Sequence, residues 1–170
     1  MQKGKKYDDI AVKVNLKSNE IYIKFAEGIE IVATVQLEYV EFNGCGDGKK
    51  IIFRSGFPPI DKQADTSYYQ VLSEGNITLL KNFNTTFRDE TTYGTSSAVT
   101  RTFESSPWYY AYSPAEGIVR LKDNATVLQL LPTRKSQVEK FMNDEGIKVK
   151  RENDLVKLFS FLNKENADKK

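Results

Sequence analysis

Between residues 10 and 42, apolar side chains recur at every second position. They are Ile10, Val12, Val14 and Leu16, then Ile21, Ile23 and Phe25, then Ile29, Ile31, Ala33 and Val35, then Val40 and Phe42. A period of two places each set on one face of an extended strand and the intervening residues on the other. Lys17-Ser18-Asn19-Glu20 and Glu27-Gly28 are turn sequences too short to hold a helical crossover, so consecutive strands must run antiparallel. At Asp123 the period changes. Val127, Leu128, Leu130 and Leu131, then Val138, Phe141 and Met142, then Leu155, Leu158, Phe159 and Leu162 recur at the spacings of helical stripes. One switch from period two to helical spacing divides the chain into a β-rich 7–122 and a helical 123–163.

Several further strands are expected between these limits. Residues 51–54 form a fifth strand after the loop Asn43-Gly44-Cys45-Gly46-Asp47-Gly48. Residues 55–66 are irregular, because Pro58-Pro59 cannot donate ladder hydrogen bonds. Residues 68–83 form a hairpin about Ser73-Glu74-Gly75-Asn76, where Gly75 is expected to take a positive φ. Asp89 to Ser97 is polar and reads as a loop or mobile hairpin tip. Val99 to Glu104 is one strand and Trp108 to Ser113 another, turning at Pro114-Ala115-Glu116-Gly117 into residues 118–122. Asp123 or Asn124 caps the first helix, Pro132 follows it, Gly146 stops the second, and Asn153 caps the third, over 152–163. The expected fold is α+β: an antiparallel β-meander forming a curved sheet or partial barrel, followed by two or three C-terminal helices. Residues 7–163 read as a single domain, with 1–6 a disordered leader remnant and 164–170 a charged tail.

Composition excludes several chemistries. The 170 residues contain no histidine and one cysteine. Ser-His-Asp and Cys-His catalysis are therefore ruled out, as are His-ligated zinc and iron sites. Cys45 has neither an internal disulfide partner nor an imidazole to activate it. No catalytic residue, metal site or cofactor is expected. The net charge of +2 is not that of a nucleic-acid-binding chain. Residues 120–170 hold 12 Lys+Arg against 8 Asp+Glu, and the preceding 119 residues hold 13 against 15. The basic C-terminal end is compatible with an anionic surface such as a membrane, although solvated helix faces are the favoured explanation. No apolar run approaches the ~18 residues of a membrane span.

The most suggestive cluster is Trp108, Tyr109, Tyr110 and Tyr112. Alternation sets Trp108, Tyr110 and Tyr112 on one face and Tyr109 on the other. Exposed, such aromatics stack on sugars or anchor protein interfaces. Buried, they would form the core beneath the C-terminal helices, and the sequence favours this second arrangement, with Trp108 mostly buried. The carboxylate pairs Asp8-Asp9, Asp61 with Asp65, and Asp89-Glu90 lack an EF-hand pattern. The loop from Gly44 to Lys50 leads into a strand and lacks phosphate-loop spacing.

Gly4-Lys5-Lys6-Tyr7-Asp8-Asp9-Ile10, Val12-Lys13-Val14-Asn15-Leu16 and Ser18-Asn19-Glu20-Ile21 resemble the opening of a class of exported Bacteroidetes proteins of unknown function. So do Leu72-Ser73-Glu74-Gly75, Trp108-Tyr109-Tyr110 and Glu152-Asn153-Asp154-Leu155-Val156-Lys157-Leu158. The resemblance implies a removed leader and an extracytoplasmic home, in the periplasm or at the cell surface. Without a removed leader the chain is cytoplasmic. The class supplies no activity and no functional residues. Three functions fit the chain: a non-catalytic extracytoplasmic binding or interaction domain, a carrier with an apolar-ligand pocket between sheet and helices, and a histidine-free carboxylate hydrolase. The partner is an unknown protein, a glycan or a small apolar ligand.

Overall fold

The computed structural model describes residues 4–45, 48–92 and 98–167. The fold is α+β with antiparallel sheets. Strands β1 (Val12–Asn15), β2 (Glu20–Lys24) and β3 (Glu30–Val32) form one sheet in that order. Strands β4 (Tyr39–Cys45), β5 (Lys49–Arg54), β6 (Tyr69–Ser73), β7 (Thr78–Thr92), β8 (Ala98–Ser113) and β9 (Gly117–Arg120) form a second, also in chain order. Both are meanders, as short connections require. Each sheet is open, so neither closes into a barrel. Helices α1 (Asn124–Gln129), α2 (Lys135–Asp144) and α3 (Glu152–Ala167) follow.

The described residues fall into two compact units. The first comprises Met1–Gln36 and Phe83–Pro107, and the second Leu37–Asn82 and Trp108–Lys170. The long strands β7 and β8 contribute residues to both.

In the first unit, pairing of Val12 with Ile23, Val14 with Ile21 and Ile23 with Ile31 collects the alternating apolar residues on one face of the three-stranded sheet. Lys13, Tyr22, Lys24 and Glu30 share the other face, where Lys13 pairs with Glu30 at 2.5 Å.

In the second unit the sheet is covered on both faces. On one, Leu79, Tyr109 and Ala111 meet Val127, Val138, Met142, Leu155, Leu158, Phe159 and Leu162 of the helices in the main core. On the other, Tyr69, Leu80 and Tyr110 are fully buried against Phe57, with Ile60, Val71, Trp108, Tyr112 and Ile118 packed around them. The helices thus lie on the face opposite to the expected one. Trp108, Tyr110 and Tyr112 are covered by the irregular 55–67 segment, and Trp108 is only partly buried.

Helix boundaries follow their local signals. The Asp123 carboxylate caps α1 by accepting from the Thr126 N–H at 2.8 Å. Pro132 opens a 3₁₀ turn, Pro132–Arg134, that leads into α2. Gly146 ends the α2 region at φ +61°. Asn153 lies inside α3 rather than capping it, and α3 continues to Ala167, beyond the expected end at residue 163.

Other expectations are corrected. Residues 89–92 are strand rather than loop, while 93–97 lie outside the described residues. Residues 98–113 form one strand rather than two, despite Pro107. Leu121 N–H donates to the Tyr109 carbonyl, so Tyr109 faces β9. Alternation turns the Pro107 nitrogen to that same side, past the end of β9, where no ladder bond is lost. Gly75 has no positive φ. Its role is spatial, because a Cβ there would lie 2.3 Å from Asn163 Cγ.

Candidate functional site

Of the four aromatic candidates, Tyr109 and Tyr110 are buried, while Trp108 and Tyr112 are partly exposed. They do not form one surface. Tyr109 belongs to the helix-covered face, where its hydroxyl donates to Glu152 Oε2 at 3.2 Å and Lys81 Nζ reaches the same oxygen at 2.7 Å. Burial, then the Glu152 charge, pushes the Tyr109 hydroxyl up to about 12.

Tyr110 and Tyr112 lie on the opposite face. The Tyr69 ring packs edge-on to Tyr110 and to Phe57, and Phe57 packs edge-on to Tyr112, with centroids 5.1–5.5 Å apart. Such T-shaped pairs add to the burial term. Asp61 sits at the rim with φ +53°, a left-handed conformation that Asp tolerates better than most residues. Its carboxylate accepts from the Tyr110 hydroxyl at 3.1 Å and has Arg120 Nη1 at 3.7 Å. The Arg120 guanidinium also covers the Trp108 ring, 3.3 Å from its centroid. Among the described residues the buried Tyr69 hydroxyl finds no hydrogen-bond partner, and burial followed by the Asp61 charge pushes it up to about 12. Burial likewise raises Tyr110. These tyrosines stay protonated at neutral pH, and Asp61 is already engaged. The cluster brackets the 55–67 segment onto the sheet.

The exposed apolar surface lies elsewhere, outside the cluster of neighbouring aromatics. Among the described residues, every exposed large apolar side chain except Tyr39 belongs to the first unit. The ladder continues through Phe25 N–H to Ile29 O and Lys24 N–H to Ala11 O, so alternation puts Ile10, Phe25, Ile29 and Ile31 on the apolar face of the β1–β3 sheet, and all four are exposed, Ile29 to 54%. On the same face Val12, Val14 and Ile23 are half-buried and Ile21 is buried, so the exposure lies at the Phe25–Ile31 end. The edge strand β3 is exposed at all three positions.

The same unit carries a second exposed pair. Thr85 bonds Ser105 and Asp89 bonds Arg101, so β7 and β8 pair with Phe87 opposite Phe103. Their rings lie 6.5 Å apart and are 59% and 52% exposed. Arg101 lies over Phe87 at 4.5 Å and Lys17 over Phe103 at 4.3 Å.

No family model, curated protein or solved structure matches this chain.

Among the described residues, no helix is long and apolar enough to cross a membrane, and no group of three or more Cys, Asp or Glu side chains is placed to hold a metal ion. The signal for the open face was present in the alternation from Ile10 to Val35. What the alternation does not encode is that the Phe25–Ile31 end of the face stays exposed while Ile21 is buried.

Proposed function

We propose that this chain is a non-catalytic protein-interaction domain that works outside the cytoplasm. The observation that carries the interaction reading is the exposed apolar end of the β1–β3 sheet, Phe25, Ile29 and Ile31, with its exposed edge strand β3. Contiguous apolar patches of this kind mark interaction sites. An edge strand supplies unpaired N–H and C=O groups that only another polypeptide strand satisfies in full. The partner is accordingly a protein that adds a strand along β3 and lays apolar side chains over Ile29, Ile31 and Phe25. The extracytoplasmic location rests on the resemblance of the opening and closing segments to exported proteins. The carrier reading loses support because the space between sheet and helices is filled by Leu79, Tyr109, Val127, Val138, Leu155, Leu158 and Phe159.

Benzoylphenylalanine placed at position 31 in cells that naturally express the chain tests this directly. Irradiation should give a discrete protein adduct from position 31 and none from position 140, an exposed site on α2. Equal labelling from both positions, or no protein adduct from position 31, overturns the reading.

A further inference from the structure

A second surface, independent of the sheet face, lies in the second unit. Residues 122–125, after β9, and 147–151, between α2 and α3, line an open groove of about 600 Å³. Burial alternates along 147–150, whereas residues 122–125 are all exposed after the buried Leu121. Leu121, Ile147 and Val149 point inward and are buried, while Lys122, Lys148 and Lys150 point outward and are exposed, with Arg151 beside them. None of these four cations forms an ion pair among the described residues, whereas Lys13, Lys50, Lys81 and Arg101 elsewhere each do. The nearby carboxylates serve the backbone instead. Asp123 accepts from the Thr126 N–H and hydroxyl, both at 2.8 Å, and Asp154 accepts from the Lys148 N–H at 3.0 Å.

We propose that this groove binds an acidic peptide segment of a partner protein. Charge complementarity selects an anion. The form of the groove selects an extended one. The Thr126 and Lys148 amides, which could otherwise turn to a compact phosphate, are already taken by Asp123 and Asp154. What remains is a row of flexible cations, Lys148, Lys150 and Arg151, along one segment and Lys122 on the other, an excess of positive charge over the lining Asp123 that suits carboxylates spaced along a peptide. The concave setting, with cations on both walls, suits a strand-like ligand better than a flat lipid surface.

A fluorescein-labelled peptide of alternating Glu and Leu, titrated against the whole protein by anisotropy, provides the test. Saturable binding is expected, weakening as salt is raised towards about 0.5 M because exposed charges are screened. The Lys148→Glu/Lys150→Glu variant should weaken it at least tenfold. Lys122→Glu, on the opposite wall, should also weaken it and keeps the test decisive if the double variant does not fold. A Lys-Leu peptide of equal length should not bind. Absence of saturable binding, or unchanged affinity in a folded variant, overturns the proposal. So does displacement of the peptide by millimolar inorganic phosphate or by phosphatidylglycerol vesicles, which would reassign the groove to a compact anion or a membrane.

Discussion

Asn163 on α3 reaches the turn between β6 and β7 and binds it as a strand neighbour would. Its Oδ1 accepts from the Ile77 N–H at 3.1 Å, and its Nδ2 donates to the Ile77 carbonyl at 2.9 Å and to the Glu74 carbonyl at 3.4 Å. Ile77 is buried, so losing the side chain strands a buried amide. Two well-formed bonds at ~0.5–1.5 kcal/mol each, with the penalty for an unsatisfied N–H, put the cost of Asn163→Ala near 3 kcal/mol. The better helix propensity of Ala returns about 0.6 kcal/mol, so a net loss of about 2–2.5 kcal/mol is expected.

Gly75→Ala should cost a similar amount by another route. The new Cβ would sit 2.3 Å from Asn163 Cγ and must displace the amide from its bonds. Reduced freedom of the unfolded chain offsets about 0.4–1 kcal/mol of this. In the Asn163→Ala background the obstruction is gone, and Gly75→Ala should be neutral or slightly stabilising. Urea unfolding of the four proteins, followed by far-UV circular dichroism, should therefore give a coupling of about 2 kcal/mol, with the double variant no less stable than Asn163→Ala. Additivity within ~0.5 kcal/mol, the behaviour of independent sites, would refute the clamp.

Phe159→Ala should lower stability by about 3–5 kcal/mol in the same assay, the range for a large core aromatic, because Phe159 is fully buried in the main core. Tyr69→Phe removes a buried hydroxyl that has no partner, whose burial costs about 1–3 kcal/mol; the variant should be more stable than the parent, and a loss above ~1 kcal/mol would show that the hydroxyl is satisfied. Tyr69 and Tyr109 are raised in the folded protein to about 12 from the ordinary value of 10.0. Above pH 10 the unfolded chain therefore loses protons first, and stability present below pH 10 should fall progressively towards pH 12 in urea titrations, less steeply in Tyr69→Phe. Arg120→Ala uncovers the Trp108 ring and should shift its fluorescence to the red with the fold intact; an unchanged spectrum would show that the guanidinium does not shield the indole.

Local order was legible in the chain itself. Alternation from Ile10 to Phe42 specified strands and antiparallel pairing. The change of spacing at Asp123 specified helices, and Asp123, Pro132 and Gly146 marked their ends. These signals are local because backbone geometry repeats every two residues in a strand and every 3.6 in a helix. Period two separates Tyr109 and Ala111 from Trp108, Tyr110 and Tyr112, but it carries no information about which side the helices will cover. That choice was made by Phe57 and Ile60, in a segment without periodicity, which occupy the face of Tyr110. Gly75 shows the same division: its turn position was readable, while its reason, the approach of Asn163, joins residues far apart in the chain. The cationic groove likewise exists only because residues 122–125 and 147–151 are brought alongside. Periodicity fixes which residues share a side; contact between distant segments decides whether that side becomes core or surface.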